Sequence, residues 1–105
     1  MRFGQITGTV VATRKDERLE GLKLQVVQVM GVDTRLTDEY VVAADAVGAG
    51  IGEVVLFATG SSARQTTITD ARPIDAIIMA IVDLWDVDGE VLYRKDAVGK
   101  AATAG

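Results

Sequence analysis

Asp45-Ala46-Val47-Gly48-Ala49-Gly50-Ile51-Gly52-Glu53-Val54-Val55-Leu56-Phe57-Ala58-Thr59-Gly60-Ser61-Ser62-Ala63-Arg64 reads as a loop, a buried strand, a sharp turn and the first turn of a helix. Gly48, Gly50 and Gly52 alternate in the loop, where glycine permits positive φ and close backbone approach. The unbroken apolar run from Val54 to Ala58 lies between turn signals, which suits a strand covered on both faces. Thr59-Gly60 breaks that run, and Ser61 or Ser62 stands where a helix N-cap is wanted, its oxygen accepting from an amide of the new helix.

On the N-terminal side, Met1 to Thr13 alternates Phe3, Ile6 and Val10 with Gln5, Thr7 and Thr9. This predicts a strand, with Gly4 and Gly8 marking a bend or bulge as small barrels need at corners. Arg14 to Gly21 is a charged loop, and Leu22 to Met30 a second strand in which Leu22, Leu24 and Val26 share a face. The apolar phase slips at Val26-Val27, predicting a bulge or a change of burial there. Gly31 to Asp38 is turn material, Tyr40 to Ala44 a third strand and Glu53 to Thr59 a fourth.

Beyond the quoted stretch, Thr69-Asp70 and Pro73 should stop the helix soon after Thr67. Ile74 to Trp85 is the longest apolar element; its β-branched residues, with Pro73 at the entry and Asp88-Gly89 at the exit, favour a strand over a helix. Asp88-Gly89 predicts a two-residue hairpin turn into Val91-Leu92-Tyr93. Gly99 to Gly105 reads as a mobile tail, leaving residues 1–95 as one domain and 96–105 as a flexible end. The fold class expected is all-β with one short helix: a small barrel of the oligonucleotide/oligosaccharide-binding (OB) type plus a C-terminal hairpin. Segments 54–58 and 77–82 are apolar on both faces, and the strands supply an inside for one face only. The second face is therefore expected to meet another subunit.

Composition narrows the chemistry. Of 105 residues, 49% are hydrophobic but only 5% aromatic, so the apolar mass is Val, Ile, Leu and Ala. Net charge is −4 and the basic cluster Arg14-Lys15 runs straight into Asp16-Glu17, which argues against a nucleic-acid partner. No apolar run is long enough for a transmembrane helix and the first residues lack a signal-peptide pattern, so no membrane partner is expected and the cytosol is the default compartment. Histidine and cysteine are absent, which removes the commonest general base, the thiolate nucleophile and the usual soft metal ligands. Ser61-Ser62 therefore has no activating histidine, and spacing places neither Lys23 nor Lys95 beside it. Gly48-Ala49-Gly50-Ile51-Gly52 fails the dinucleotide fingerprint at Glu53 and is followed by a strand; no Walker motif occurs, so no cofactor is expected. Asp83, Asp86, Asp88 and Glu90 invite a cation but have the spacing of a strand end and hairpin turn, not of a calcium loop. Arg64, flanked by apolar strands, should seek a carboxylate, with Asp75 and Asp83 as candidates.

Taken in order, Leu19-Glu20-Gly21-Leu22-Lys23-Leu24, Asp45 to Glu53, Gly60-Ser61-Ser62-Ala63-Arg64, Pro73-Ile74-Asp75 and Ile81-Val82-Asp83 resemble the EutN/CcmL family, the pentameric vertex proteins of bacterial microcompartment shells. The resemblance runs from the first strand to about Lys95 and implies a five-stranded OB-type barrel assembled head-to-tail into a homopentameric ring, without catalysis, cofactor or metal. It also implies corners of an icosahedral shell in the cytoplasm, with hexameric tile proteins as partners at the facet edges. Carried onto this chain, it makes Gly48, Ala49 and Gly50 candidates for the region near the five-fold axis or pore. Gly60, Ser61, Ser62, Arg64, Asp75 and Asp83 become candidates for subunit contact or for fixing the barrel. The alternative for the glycines is a plain turn between strands. The alternative for the protein is a monomeric OB-type barrel binding an oligonucleotide or oligosaccharide, which would want aromatic platforms and basic rims.

Overall fold

The computed structural model describes residues 1–69 and 72–95, apart from the side chains of Ser62 and Arg64. The tail expected at residues 96–105 lies outside the described residues. Seven strands are present among the described residues: β1 (Arg2–Val10), β2 (Leu24–Met30), β3 (Leu36–Asp45), β4 (Val54–Thr59), β5 (Ala76–Ile81), β6 (Leu84–Val87) and β7 (Glu90–Arg94). The first five close into a barrel in the order β1-β2-β3-β5-β4, and β4 returns to pair with β1. All barrel pairings are antiparallel except β3 with β5, which meet at Ala44–Ile77 and Asp45–Ile78. β6 and β7 form a separate two-stranded sheet. Among the described residues no helix is long and apolar enough to cross a membrane.

Alternation decides what fills the barrel. Ile6, Val27, Val29, Ala43, Ala49, Val55, Phe57, Ala76 and Ile78 form its core. Phe57 is the bulkiest of them, and β1 gives way to it at Gly4. A Cβ at that position would overlap Val27 Cγ1 and sit 3.1 Å from Phe57 Cε1. The bulge predicted from the glycines falls between Ile6 and Gly8, opposite Val27 and Val26 where the apolar phase slips. The extra residue is on β1, not β2, so β2 keeps its alternation, with Gln25, Val27 and Val29 all buried.

The outer faces correct one expectation. Strands apolar on both sides were expected to need a second subunit, but much of the second side is covered by the chain itself. Phe3, Met30, Val54 and Leu56 pack under the hairpin residues Trp85, Leu92 and Tyr93. Trp85 stacks between Phe3 (3.9 Å between ring centroids) and Tyr93 (4.8 Å), and its indole N–H donates to the Val32 carbonyl at 2.9 Å. Each such aromatic pair contributes about 0.5–1.5 kcal/mol beyond its buried area. At another part of the surface Ala44, Ala58 and Ile77 are covered by Ala63 and Ile74, with Leu19, Leu22 and Leu24 alongside. Val54, Leu56 and Ala58 of β4 and Ile77 of β5 are thus covered inside one chain, while Met79 of β5 stays exposed.

Three boundaries also differ. β3 starts at Leu36, inside the expected turn, because Leu36 pairs with Met30 and packs into the hairpin-covered cluster. The run from Ile74 to Trp85 is not one strand. After Ile81 the chain leaves the barrel at Val82, whose N–H is held by the Val54 carbonyl at 2.8 Å, and β6 begins a new sheet. The helix after β4 is a 3₁₀ turn over Gly60–Arg64, which ends before Thr67 and places Ser61 inside it instead of at a cap. The Asp88-Gly89 hairpin is present, with φ of 53° and 83° at its two turn residues, the left-handed pair a tight hairpin requires.

Candidate functional site

The loop between β3 and β4 is held by two carboxylates and two glutamines. Asp45, the last residue of β3, turns its side chain along the chain ahead: Oδ1 accepts from the N–H groups of Val47 and Gly48 and Oδ2 from Ala49, each at 2.9 Å. Gln25 is 1% exposed, and its Nε2 donates to Asp45 Oδ2 at 2.8 Å and to the Ala49 carbonyl at 2.6 Å. Ala49 is thereby drawn into the barrel core, with no exposed surface. The far side is fixed in the same manner: Gln5 Nε2 donates to the Gly52 carbonyl at 3.0 Å, while Gly52 N–H bonds the Ile6 carbonyl at 2.8 Å. Gly48 and Gly52 take φ of 75° and 89°, so their glycines are required by the backbone.

Glu53 closes the loop and ties it to the end of the hairpin. Its Oε1 accepts from Gly50 N–H at 2.6 Å, and its Oε2 pairs with Lys95 Nζ at 2.7 Å. The Lys95 ammonium, and next the Gly50 amide, hold the Glu53 carboxyl below its ordinary range. The hydrogen bond from Glu53 raises Lys95 in turn. What this framework presents outward is apolar and small: Ile51 is 64% exposed and Val47 39%, with Gly48 and Gly50 open beside them.

The other candidates lie elsewhere and act mainly through backbone. Gly60, at φ 69°, starts the 3₁₀ turn, and its N–H donates to the Asp75 carbonyl at 2.8 Å, joining the end of β4 to the start of β5. Asp83 is exposed, and its carbonyl accepts from Lys95 N–H at 2.8 Å. Ser61 is exposed, and the side chains of Ser62 and Arg64 lie outside the described residues, so the pairing expected of Arg64 with Asp75 or Asp83 does too. Asp83, Asp86, Asp88 and Glu90 are all exposed, and among the described residues no group of three or more His, Cys, Asp or Glu is placed to hold a metal. Sequence reasoning missed Gln25, Gln5 and the capping role of Asp45. The available signal for Gln25 was a polar residue in phase with Val27 and Val29 on the core side of β2.

The described residues define a small closed five-stranded barrel whose outer surface is partly covered by its own C-terminal hairpin, with a glycine loop held by Asp45 and Glu53. The chain belongs to the family described as ethanolamine utilisation protein EutN/carboxysome, whose model matches residues 1–83. The carboxysome shell vertex protein CcmL of Gloeobacter violaceus is 41% identical over 95 residues, covering 90% of this chain and 95% of that protein. Its solved structure superposes with a TM-score of 0.89 at 40% identity, covering 92% of this chain and all of that one. The pentameric microcompartment shell protein GrpN of Rhodospirillum rubrum gives a TM-score of 0.76 at 41% identity, over 83% of this chain and 99% of its own. The shell vertex protein EutN of Salmonella typhimurium is 35% identical over 95 residues, covering 90% of this chain and 96% of that one.

Proposed function

We propose that this chain is a structural vertex protein of a bacterial microcompartment shell, acting as a homopentamer and not as an enzyme. The observation that carries this reading is the likeness along nearly the whole chain to relatives named for that role, one of them solved as a pentameric shell protein. Its place is the shell inside the bacterial cytoplasm. A vertex must meet the facets, so we assign its outer edge to contact with hexameric tile proteins of another family. We also assign the Gly48-Ala49-Gly50 loop to the neighbourhood of the five-fold axis. Support for that assignment is the bracing of the loop by Asp45 and Glu53, together with its exposed Gly48 and Gly50, which suit crowding at a symmetry axis; Ala49 itself is buried in the barrel core.

The native mass by size-exclusion chromatography with light scattering tests the assembly. A closed ring should give about five times the 11.1 kDa chain. A single-chain mass at micromolar concentration would refute the ring and favour a monomeric binding barrel. Gly50→Leu tests the loop: a Cβ there meets only Glu53 Oε1 at 3.5 Å, an ordinary contact. A narrowed central opening or an altered ring mass is expected, and an unchanged ring with an unchanged opening would leave the glycines a turn role alone.

A further inference from the structure

We infer that the outer face of β2 and β3, centred on Val26, Tyr40 and Val42, is the surface on which the next copy of the chain sits in the ring. The inference rests on the pentameric reading above and names the face that reading leaves open. Val27, Ala43 and the flanking Val41 point into the barrel core, so alternation sends Val26, Gln28, Tyr40 and Val42 outward. They stand in lateral rows: Gly8 beside Val26 beside Val42, then Gln28 beside Tyr40. Tyr40 is 58% exposed and Val42 51%.

Two features separate this face from the other exposed apolar residues. Its centre, Thr7, Gly8, Val26, Gln28, Tyr40 and Val42, is neutral, with exposed Asp38 and Glu39 at its edge on β3, whereas Leu84, Val87 and Val91 on the hairpin alternate with Asp86, Asp88, Glu90 and Arg94. Depletion of charge with a retained tyrosine is the composition of an interface centre. It is also flat, because Gly8 puts no side chain beside Val26; a Cβ there would lie 3.7 Å from Val26 Cβ. Phe3 of β1 and Val54 and Leu56 of β4 lie under the chain's own hairpin, and the Ala44–Ala58 region lies under Ala63 and Ile74. Among the described residues, neither of these segments covers the face centred on Val26, Tyr40 and Val42. A head-to-tail ring requires each copy to offer two different surfaces, so the incoming copy meets this face with another part of itself.

The test is Val42→Glu on the full chain, with Tyr40→Asp as a second variant and Val91→Glu as a hairpin control. Each is read by native mass and by far-UV circular dichroism. The expected result is a wild-type ring of about five chains, a folded single-chain mass for Val42→Glu and Tyr40→Asp, and an unchanged ring for Val91→Glu. A ring that persists in both face variants overturns the inference while leaving the pentamer intact. Persistence of the ring with loss of co-assembly with tile proteins also overturns it, by giving the face to a different partner. A wild-type single-chain mass instead refutes the pentameric reading on which it rests.

Discussion

Replacing Asp45 tests whether the glycine loop is held by one carboxylate. In Asp45→Ala four hydrogen bonds are lost, three from the loop amides of Val47, Gly48 and Ala49 and one from Gln25. They do not count equally. Val47 and Gly48 are exposed, so their amides can turn to water; Ala49 and Gln25 are buried, at 0% and 1% exposure. A buried donor stripped of its acceptor costs about 1–3 kcal/mol, so two of them, with some relaxation of the loop, give roughly 2–4 kcal/mol. Asp45→Asn should be nearly as harmful. An asparagine has one oxygen, and serving Val47 and Gly48 with it turns the amide N–H groups toward Ala49 N–H and Gln25 Nε2, donor against donor. The assay is urea denaturation at one fixed protein concentration, because assembly makes apparent stability concentration-dependent. At ordinary urea slopes the midpoint should fall by about 1–3 M in both variants. Hydrogen exchange at residues 47–49 should accelerate with it. Variants within about 0.5 kcal/mol of wild type, with unchanged exchange at Ala49, would refute the carboxylate as the loop's anchor.

Two further substitutions address the core and the hairpin tie. Gly4→Ala forces a methyl against Val27 Cγ1, with the Gln28 carbonyl oxygen 3.0 Å away, and should destabilise by about 1–3 kcal/mol in thermal or denaturant unfolding. Glu53→Gln removes a pair whose side chains are 26% and 33% exposed, so about 0.2–1 kcal/mol is expected at pH 7. Because the folded-state carboxyl lies below its ordinary 4.5, that difference is present above the unfolded value and should vanish as pH falls through the folded one. Lys95 is raised above 10.5, so the contribution should also fade at alkaline pH once the ammonium is lost. A wild-type-minus-variant difference independent of pH would show that the ion pair contributes nothing.

Local signals carried most of the fold. The hairpin was legible because Asp88-Gly89 has one strong conformational preference, and the β1 bulge because Gly8 interrupts an alternating run opposite a phase slip. The split of Ile74 to Trp85 was not legible, since nothing in the run Ile77 to Val82 announces that its end pairs with Val54 and then departs. The corner is set by a tertiary hydrogen bond and by the docking of Trp85 on Phe3, both far apart in sequence. Leu36 was lost to the turn for the same reason: its apolar partner Met30 lies across a bulge. In the candidate site the glycines were visible and their anchors were not. Asp45 reads as a strand-ending turn residue until its two oxygens are seen bonding three successive amides.

The partial self-covering of the two-sided strands narrows where assembly can act. Had β4 and β5 met a neighbour directly, the hairpin would have had no surface to dock on; instead Val54 and Leu56 lie beneath Trp85, Leu92 and Tyr93. The hairpin is then coupled to the glycine loop, because Glu53 accepts from Gly50 with one oxygen and from Lys95, just past β7, with the other. The family model ends at residue 83, before β6, yet the loop it contains is fastened to a residue beyond it. Order in the loop therefore depends on two remote segments, Gln25 from inside the barrel and Lys95 from outside it. A loop braced from both sides can keep small and apolar residues exposed without collapsing onto its own barrel.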